Sequence, residues 1–545
     1  MEDIINVAQK PKRSGTSGPT STAFRAYDVR GIYPTELDPA LAYKVAKAFL
    51  KIAPGKKYVI ATDMRKSSPL IRDAFIQAVI EENLEIDYLG QTTTDNLYFA
   101  VGKFGYDGGV MITASHNSAN FNGLKLVKSG AAPVAMPDLI EAFSEIENSL
   151  HYLPLNGVEP SRGLDTTEEF ITHAMSFGDG KLNRPLKIVV DAGNGMAGKV
   201  TQQLLSRHRE VELIKMYFEP HADFPHHEAN PAVASNLTQL QQKVVSTKAD
   251  LGVAFDGDGD RVFFVDNTGK AVAGYYIQAL LSEYFLNLNK GAAVVYDLRY
   301  TRAIESVLRV TGGRGVISKA GHTYIKQKMK QEDAIFGGES TSSHFYYRDN
   351  FYADSGLITL EIILKIISAT GRDLGELVAT YQERFFISGE QNYYLKRPQD
   401  FSKVTSRLMT EFPNGTFSDF DGFIIDFSQW RFSLRQAANE PFIRLNIEAD
   451  SKNLLEEKQA AINNIICEFA ESTGGVSNMY GLQTMHLSKK EKLEFLFNNL
   501  QYSWNPYKGE YLDELYGVQW TRNQTPLDVL REIDTPLLEK FYEKN

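Results

Sequence analysis

The 545-residue sequence contains only one cysteine, Cys467. It therefore cannot form an internal disulfide, and Cys467 has no thiolate partner for a metal site. Its place in the apolar run INNIICEF predicts a core residue. The sequence also lacks any run near the roughly 18 apolar residues of a membrane span, and residues 1–22 lack the apolar core of a signal peptide. We therefore expect a cytoplasmic protein without a membrane partner.

Positive charge is also scarce relative to negative charge. The sequence has 58 Lys and Arg residues against 68 Asp and Glu residues, which gives a net charge of −10 and an isoelectric point near 5.6. Proteins that bind nucleic acid electrostatically usually have the opposite balance, so we expect no nucleic-acid partner. An anionic small molecule can still bind where Arg and Lys side chains converge in one cleft.

The chain is too long for one hydrophobic core, and we expect roughly three to five domains. In three places a short β-branched run precedes a helical pattern, as KKYVIAT precedes SSPLIRDAFIQAVIEENL, which predicts α/β layers with mainly parallel strands. Each unit continues into a second apolar strand and a small polar loop, namely GGVMITASHN, LGVAFDGDGD and DAIFGGESTS. Because ligands bind at strand carboxyl ends in such sheets, these loops predict one composite active site between domains.

The loop AFDGDGDR places Asp256, Asp258 and Asp260 at alternate positions directly after the apolar strand LGVA. Alternate carboxylates in an extended segment project toward one side, and three hard oxygen ligands suit Mg²⁺. An EF-hand is excluded, because its sixth and twelfth loop positions hold Arg261 and Asn267 instead of Gly and Glu. The alternative is an acidic turn with solvated carboxylates, although three close anions repel one another unless a cation offsets them.

The loop TASHNSANFNGLK places Ser115 and His116 just past the strand GGVMI, with Lys125 after Gly123. No GxSxG motif surrounds Ser115, so a hydrolase triad is disfavoured. A serine hydroxyl needs activation to act as a nucleophile, and by itself this segment is more typical of a serine turn. Beside a magnesium site, however, the hydroxyl could carry a phosphoryl group that the metal neutralises.

Three further segments have weaker signals. GGESTSSH offers Glu339, Ser342 and His344, donors and acceptors suited to sugar hydroxyls, but it could equally be a polar turn. FSLRQAANEPFIR has Arg435 before a small-residue turn that could bind an anion through backbone N–H groups, although by itself the segment is more typical of an ordinary loop. The histidines of HADFPHHE lack metal-ligand spacing and favour structural or surface roles.

Taken together and in order, these segments resemble the α-D-phosphohexomutase superfamily, most closely its bacterial phosphomannomutase/phosphoglucomutase group. The resemblance covers about residues 24–475 and depends on the motifs FRAYDVRG, TASHN, DGDGDR, GHTYIK with GGES, and the arginine loop with NEPFIRLN. It implies three similar α/β domains with mixed sheets flanked by helices, a C-terminal α+β domain and a short extension.

The resemblance implies a role for each candidate residue. Ser115 would carry the phosphate, and it would bind Mg²⁺ together with Asp256, Asp258 and Asp260. Catalytic roles fall to Arg30, His116, Lys125, Arg261 and His322, of which Lys125 and His322 are candidates for acid–base work. Substrate-binding roles fall to Tyr27, Arg299, Glu339, Ser342, His344, Arg435 and Asn439.

The implied enzyme is an isomerase that moves a phosphoryl group between hexose positions. Phosphorylated Ser115 would convert a hexose monophosphate into a hexose 1,6-bisphosphate, which serves as intermediate and activator, turns around and returns the other phosphate. The expected substrates are mannose phosphates, with glucose phosphates as additional ones, and the expected state is a monomer or homodimer. Phosphoglucosamine mutase and a catalytically weak sugar-phosphate-binding paralogue are the alternatives.

The predicted domain boundaries follow the motifs. They are a flexible tail over 1–22, a phosphoserine domain over 23–163, a metal-binding domain over 164–270, a sugar-binding domain over 271–384, a phosphate-binding α+β domain over 385–475, and an extension over 476–545 with one predicted helix, LSKKEKLEFLFNNL.

The sequence departs from the family pattern in four places. Ser118 stands where the serine loop usually has proline, and the part GESTSSH of the sugar loop GGESTSSH is one residue longer than the usual GExSGH. In the phosphate loop, Ala437, Ala438 and Asn439 replace the usual Ser, Asn and Thr. The extension over 476–545 has no recognised counterpart.

Overall fold

A computed structural model describes residues 22–397, 399–436 and 442–472 of the chain. The predicted tail lies outside these residues except for its last one. The predicted extension 476–545, including its expected helix, and the predicted phosphate ligand Asn439 also lie outside them.

The first α/β unit is built around the parallel strand pairs β2–β3 and β2–β4, to which β5 adds an antiparallel strand beside β4. Its elements are β1 Val29–Ile32, α1 Pro39–Ile52, β2 Lys57–Thr62, α2 Ser68–Ile80, β3 Glu85–Gln91, α3 Thr94–Lys103, β4 Gly108–Ile112, β5 Phe121–Lys128, β6 Ala132–Pro133, α4 Met136–Ile146 and β7 Arg162–Gly163. Local sequence sets the helix starts: Asp38 caps α1 by accepting from the Leu41 N–H, and Pro39 occupies its first turn.

The second unit repeats this arrangement, with β8 parallel to both β9 and β10 and with β11 antiparallel to β10. Its elements are α5 Thr167–Met175, β8 Leu186–Asp191, α6 Ala197–Leu205, β9 Val211–Met216, α7 Ala234–Thr247, β10 Leu251–Phe255, β11 Val262–Asp266 and β12 Ala271–Val272.

The third unit repeats it again, with β13 parallel to β14 and β15 and with β16 antiparallel to β15. Its elements are α8 Gly274–Leu288, β13 Ala293–Asp297, α9 Arg302–Thr311, β14 Arg314–Ser318, α10 His322–Glu332, β15 Phe336–Gly338, β16 Phe345–Tyr347, β17 Ala353–Asp354, α11 Gly356–Thr370 and α12 Leu374–Gln382. Three mixed sheets with one shared strand order confirm the predicted fold class.

The C-terminal unit has a different, antiparallel sheet in the order β20-β21-β22-β23-β19-β24, with β18 also paired to β23. Its elements are β18 Phe386–Ile387, β19 Gln391–Leu395, α13 Asp400–Glu411, β20 Thr416–Ser418, β21 Phe423–Asp426, β22 Trp430–Gln436, β23 Phe442–Ala449, α14 Lys452–Cys467 and β24 Ala470–Ser472. This sheet with its helices is the predicted α+β domain.

The hydrophobic cores follow the units. The first and fourth units each have their own buried cluster, whereas the second and third share one continuous cluster that includes α5 and α11. None of the described helices is both long enough and apolar enough to cross a membrane.

The prediction that Cys467 is a core residue is wrong, because its side chain is exposed. Helix α14 buries Ile462, Ile465 and Ile466 on one face. Since successive residues turn by about 100° around a helix, Cys467 points away from that face although it adjoins an apolar run.

Candidate active site

The serine loop follows β4 and meets the aspartate loop that follows β10. The Ser115 Oγ donates a hydrogen bond of 2.6 Å to Asp256 Oδ2, and only 3% of Ser115 is exposed. Ser115 has φ 51°, in the left-handed region that few residues other than glycine adopt. The sharp turn at Ser115 therefore aims its hydroxyl into the second unit, as the composite-site prediction expected.

The aspartate loop is buried and partly neutralised by Lys125 from β5. The Lys125 Nζ donates to Asp258 Oδ2 at 2.6 Å and to Asp260 Oδ2 at 2.5 Å. Burial alone lowers the pKa of the Lys125 ammonium, but these carboxylates outweigh it and hold the pKa well above its usual value. Burial, together with the Asp258 charge, raises the pKa of Asp260 to about 7. Lys125 is consequently a cation at neutral pH.

The three aspartates fit a metal ion. One carboxylate oxygen from each lies within 4.8 Å of the others. The Oδ1 atoms of Asp258 and Asp260 are buried and accept no hydrogen bond from the described residues. Buried carboxylate oxygens without a partner are costly unless a cation or donor reaches them, and hard oxygen ligands suit Mg²⁺.

Arg261 joins the serine and aspartate loops. Its Nε donates to Asp256 Oδ2 at 3.0 Å, and its Nη2 contacts Ser115 Oγ at 3.4 Å and His116 Nδ1. Burial and the Arg261 charge lower the pKa of His116 well below its usual value, so the ring is neutral. Arg30 reaches the same loop, donating to Asn117 Oδ1 at 2.7 Å.

The third loop presents Glu339 and its neighbours. Glu339 accepts hydrogen bonds from Arg299 Nη2 at 3.0 Å and from Tyr346 OH at 2.7 Å. The Ser342 Oγ is buried and has no partner among the described residues. The loop therefore offers a fixed carboxylate and a hydroxyl that no described residue pairs.

His344 and His322 differ in charge. His344 Nδ1 lies 2.7 Å from Asp354 Oδ2, and although burial lowers the pKa of His344, the Asp354 carboxylate raises it above its ordinary value. Burial and the nearby Lys326 ammonium instead lower the pKa of His322 well below its ordinary value. At neutral pH, His322 can therefore accept a proton, whereas Lys125 cannot.

The first, third and fourth units meet at the peptide of Ala320, which precedes the GHTYIK segment. The Tyr27 OH donates to the Ala320 carbonyl at 3.0 Å, and the Ala320 N–H donates to Asp421 Oδ2 at 2.9 Å. Asp421 also pairs with Arg435 Nη2 at 3.2 Å. Arg435, at the end of β22, is therefore tied to the third unit.

Several site residues were not found from the sequence. Thr94 donates to Asp258 Oδ2 at 2.6 Å, Asp354 orients His344, and Asp421 holds Arg435. Arg444 lies opposite Arg435 in the β22–β23 register and adds a second cation on that face. Thr94, Asp354 and Asp421 stand outside the recognised motifs, and only Asp421, just before Gly422, occupies a turn that could have attracted attention. Arg444 belongs to the recognised segment NEPFIRLN but was not singled out there.

The histidines of HADFPHHE are tied into the second unit. His227 Nε2 lies 3.0 Å from Asp191 Oδ2, His226 Nδ1 lies 2.7 Å from Asn194 Oδ1, and His226 stacks on Tyr217. These are structural contacts.

The family comparisons agree with this architecture. Phosphoglucomutase/phosphomannomutase alpha/beta/alpha domains I, II and III match residues 21–150, 168–269 and 273–385. Together with the fold and site, they define an isomerase of the phosphohexomutase class. The chain belongs to the phosphoglucomutase/phosphomannomutase family.

Individual relatives are similar over most of their length. The phosphomannomutase of Salmonella montevideo is 35% identical over 436 residues, covering 78% of this chain and 95% of the relative. The phosphomannomutase of Escherichia coli K12 is 34% identical over 438 residues, with the same coverage. Among solved structures, a phosphoglucomutase/phosphomannomutase family protein from Burkholderia thailandensis is 27% identical with a TM-score of 0.71, covering 82% of this chain and 97% of that one.

Proposed function

We propose that the protein interconverts mannose 6-phosphate and mannose 1-phosphate, and that it also accepts glucose phosphates. The observation that carries the proposal is the Ser115 hydroxyl, held 2.6 Å from Asp256 in a cluster of three carboxylates and beside the Arg261 guanidinium. Relatives that are about a third identical to this chain are phosphomannomutases. The proposed protein has four domains, which are the phosphoserine domain over 23–163, the metal-binding domain over 164–270, the sugar-binding domain over 271–384 and the phosphate-binding domain over 385–475.

In the proposed cycle, Ser115 carries the phosphoryl group. A hexose hydroxyl attacks phosphorus, the bond from phosphorus to Ser115 Oγ breaks, and a hexose 1,6-bisphosphate forms. After the sugar has turned around, Ser115 Oγ attacks the phosphorus of the other phosphate and the bond from that phosphorus to the hexose oxygen breaks. The freed hexose oxygen takes up the proton released in the first transfer, and the hexose monophosphate product leaves. Arg261 and Arg30 offset the charge of the moving phosphoryl group. This electrostatic stabilisation is strongest in a buried site, where water does not screen it.

The proton of the attacking hydroxyl needs an acceptor. Of the two predicted acid–base candidates, His322 has a neutral ring because burial and Lys326 lower its pKa, whereas Lys125 is a cation. We assign His322 as the base of the first transfer, and Lys125 as the cation that balances Asp258 and Asp260 around the phosphoryl group. His116, also neutral, orients Arg261.

Asp256, Asp258 and Asp260, together with the phosphate on Ser115, would hold Mg²⁺. When bound there, Mg²⁺ neutralises negative charge on the phosphoryl oxygens. The Oδ1 atoms of Asp258 and Asp260, to which no described residue donates a hydrogen bond, support this assignment.

Glu339, Ser342 and His344 would bind the sugar, with Arg299 orienting Glu339 and Tyr27 closing the cleft at Ala320. The backbone conformation of Ser343 supports one register for the long sugar loop. Ser343 has φ 56°, a conformation that favours glycine. In the usual GExSGH, glycine is the residue before histidine, so Ser343 corresponds to that glycine. The extra residue then lies at Ser340 or Thr341, whose hydroxyls already bond Asp297 and Arg299. This register leaves for the hexose the Ser342 hydroxyl, which has no partner within the described part of the chain.

Arg435 would hold the phosphate that does not react, and Asn439 would complete that site. Arg435→Ala is expected to weaken mannose 1-phosphate and mannose 6-phosphate alike by about ten- to a hundredfold, because a charged bidentate contact contributes roughly 1.5–3 kcal/mol. Arg435→Lys should recover only part of this loss, since a point charge lacks the planar fork. Calorimetric affinities for both isomers provide the measurement.

The matched control for that prediction is Arg407→Ala, because Arg407 is an exposed arginine on α13 of the same domain. A loss for only one isomer, or none for either, would show that the shared phosphate site is not at Arg435.

The activity itself is tested with coupled assays on mannose, glucose and glucosamine 6-phosphates. The proposal expects the highest kcat/KM with mannose 6-phosphate and measurable turnover of glucose 6-phosphate. A preference for the glucosamine derivative would favour phosphoglucosamine mutase. Binding without turnover of any of the three would identify a sugar-phosphate-binding paralogue.

A further inference from the structure

Arg65 is a buried arginine just after β2, and it lies under the serine loop with only 1% of its surface exposed. Its two Nη atoms donate four hydrogen bonds to backbone carbonyls of that loop, to Ser115 at 2.9 Å, Asn117 at 2.6 Å, Ser118 at 2.6 Å and Phe121 at 2.9 Å. A guanidinium has five N–H donors, and the fifth, on Nε, goes to Asp63 at 2.9 Å. Every donor of Arg65 is therefore used.

The position of Arg65 is itself fixed. Asp63 accepts from the Arg65 backbone N–H at 3.0 Å and from the Ser68 Oγ at 2.7 Å. From the second unit, the Phe224 ring covers the guanidinium at 5.3 Å. These contacts come from the end of β2, the start of α2 and the second unit. Arg65 therefore connects the serine loop to a rigid support.

The third unit contains the same pairing of an aspartate with an arginine at the end of β13, the strand that corresponds to β2. Asp297 accepts from the Arg299 backbone N–H at 2.8 Å and from its Nε at 2.9 Å. Arg299 then donates to side chains of the sugar loop, Glu339 and Thr341. Arg65 and Arg299 thus occupy corresponding places, but Arg65 holds loop backbone whereas Arg299 holds loop side chains.

We propose that Arg65 is a positioning residue that keeps Ser115 in its left-handed conformation, with the hydroxyl directed at the aspartate loop. A proline at position 118 would restrict the backbone there, but this chain has Ser118. The Ser118 carbonyl is instead held by Arg65, so hydrogen bonds supply the restraint that a ring would otherwise supply. The effect on turnover rests on the proposed function, whereas the effect on loop motion does not.

The test compares Arg65→Lys with Arg72→Lys. Lysine keeps a charge beside Asp63 but cannot bond four carbonyls at once. Arg72, on α2 of the same unit, bonds Asp73 and is the matched control. For Arg65→Lys we expect hydrogen exchange in a peptide spanning 113–122 to accelerate about tenfold or more, and kcat to fall about ten- to a hundredfold while KM stays within about twofold. Arg72→Lys should change neither.

Ser118→Pro provides a second test of the positioning role, and in the wild-type background this test does not depend on whether the Arg65 variant folds. In the wild-type background it should slow exchange of the same peptide, and in the Arg65→Lys background it should restore part of the lost kcat. Unchanged exchange in Arg65→Lys, faster exchange without a loss of kcat, or a rise in KM alone would each overturn the positioning role. If wild type turns over no hexose phosphate, the proposed function fails, and the exchange arms still decide whether Arg65 holds the loop.

Discussion

Replacing Ser115 with alanine is expected to lower kcat by about 10⁴-fold or more, the scale seen when a covalent nucleophile is removed. The hydroxyl is the only group in the proposed cycle that carries the phosphoryl between the two half-reactions. Binding of hexose monophosphates should stay within about twofold, because the proposed contacts to sugar and distal phosphate come from the third and fourth units. Kinetics, calorimetry and intact mass after incubation with glucose 1,6-bisphosphate provide the measurements.

Ser144→Ala is the matched control, because Ser144 is an exposed residue on α4 of the same unit and donates to the Ile140 carbonyl of its own helix. A phosphate adduct of the wild-type protein that maps to a residue other than Ser115 would contradict the prediction. An alanine variant that remains active would contradict it equally.

Asp258→Asn is expected to lower Mg²⁺ affinity by more than about a hundredfold and to lower activity in parallel at fixed Mg²⁺. Loss of an outer contact to a metal ligand already costs about ten- to a hundredfold, and here the ligand itself loses its charge. Asp258 also accepts hydrogen bonds from Lys125 and Thr94, so the amide disturbs the support of the neighbouring ligand Asp260. Metal affinity from calorimetry is the primary readout, with activity against Mg²⁺ concentration as the second.

The control for this prediction is Asp138→Asn, an exposed aspartate in the first turn of α4 that should leave both curves unchanged. If Asp258→Asn and wild type gave the same Mg²⁺ titration, the aspartate loop would be an acidic turn and not a metal site.

The sequence alone was enough to predict the three α/β units and the loops that follow their second strands. Each unit has a strand of continuous apolar residues, because both of its faces are buried, and such runs are readable without coordinates. The three aspartates were recognised for the same reason, since they follow such a strand in a motif whose residue types suit a metal ion. These are properties of short segments. The role of Ser115 was implied only by the resemblance of the whole set of loops, because its own segment is more typical of a serine turn.

Only the tertiary structure decided the contacts between distant segments. Arg65 donates hydrogen bonds to backbone carbonyls of a loop some 50 residues away. Asp421 connects Arg435 to the Ala320 peptide in another unit. Neither contact leaves a local pattern in the sequence. The exposure of Cys467 depended on the rotation of α14 against its sheet, which an apolar run does not specify. The charge states of His322 and Lys125 likewise depended on burial and on neighbours that only folding brings together. The sequence therefore predicted the motif residues, whereas the packing of the four units added Arg65, Asp354 and Asp421 and determined how each group is oriented and charged.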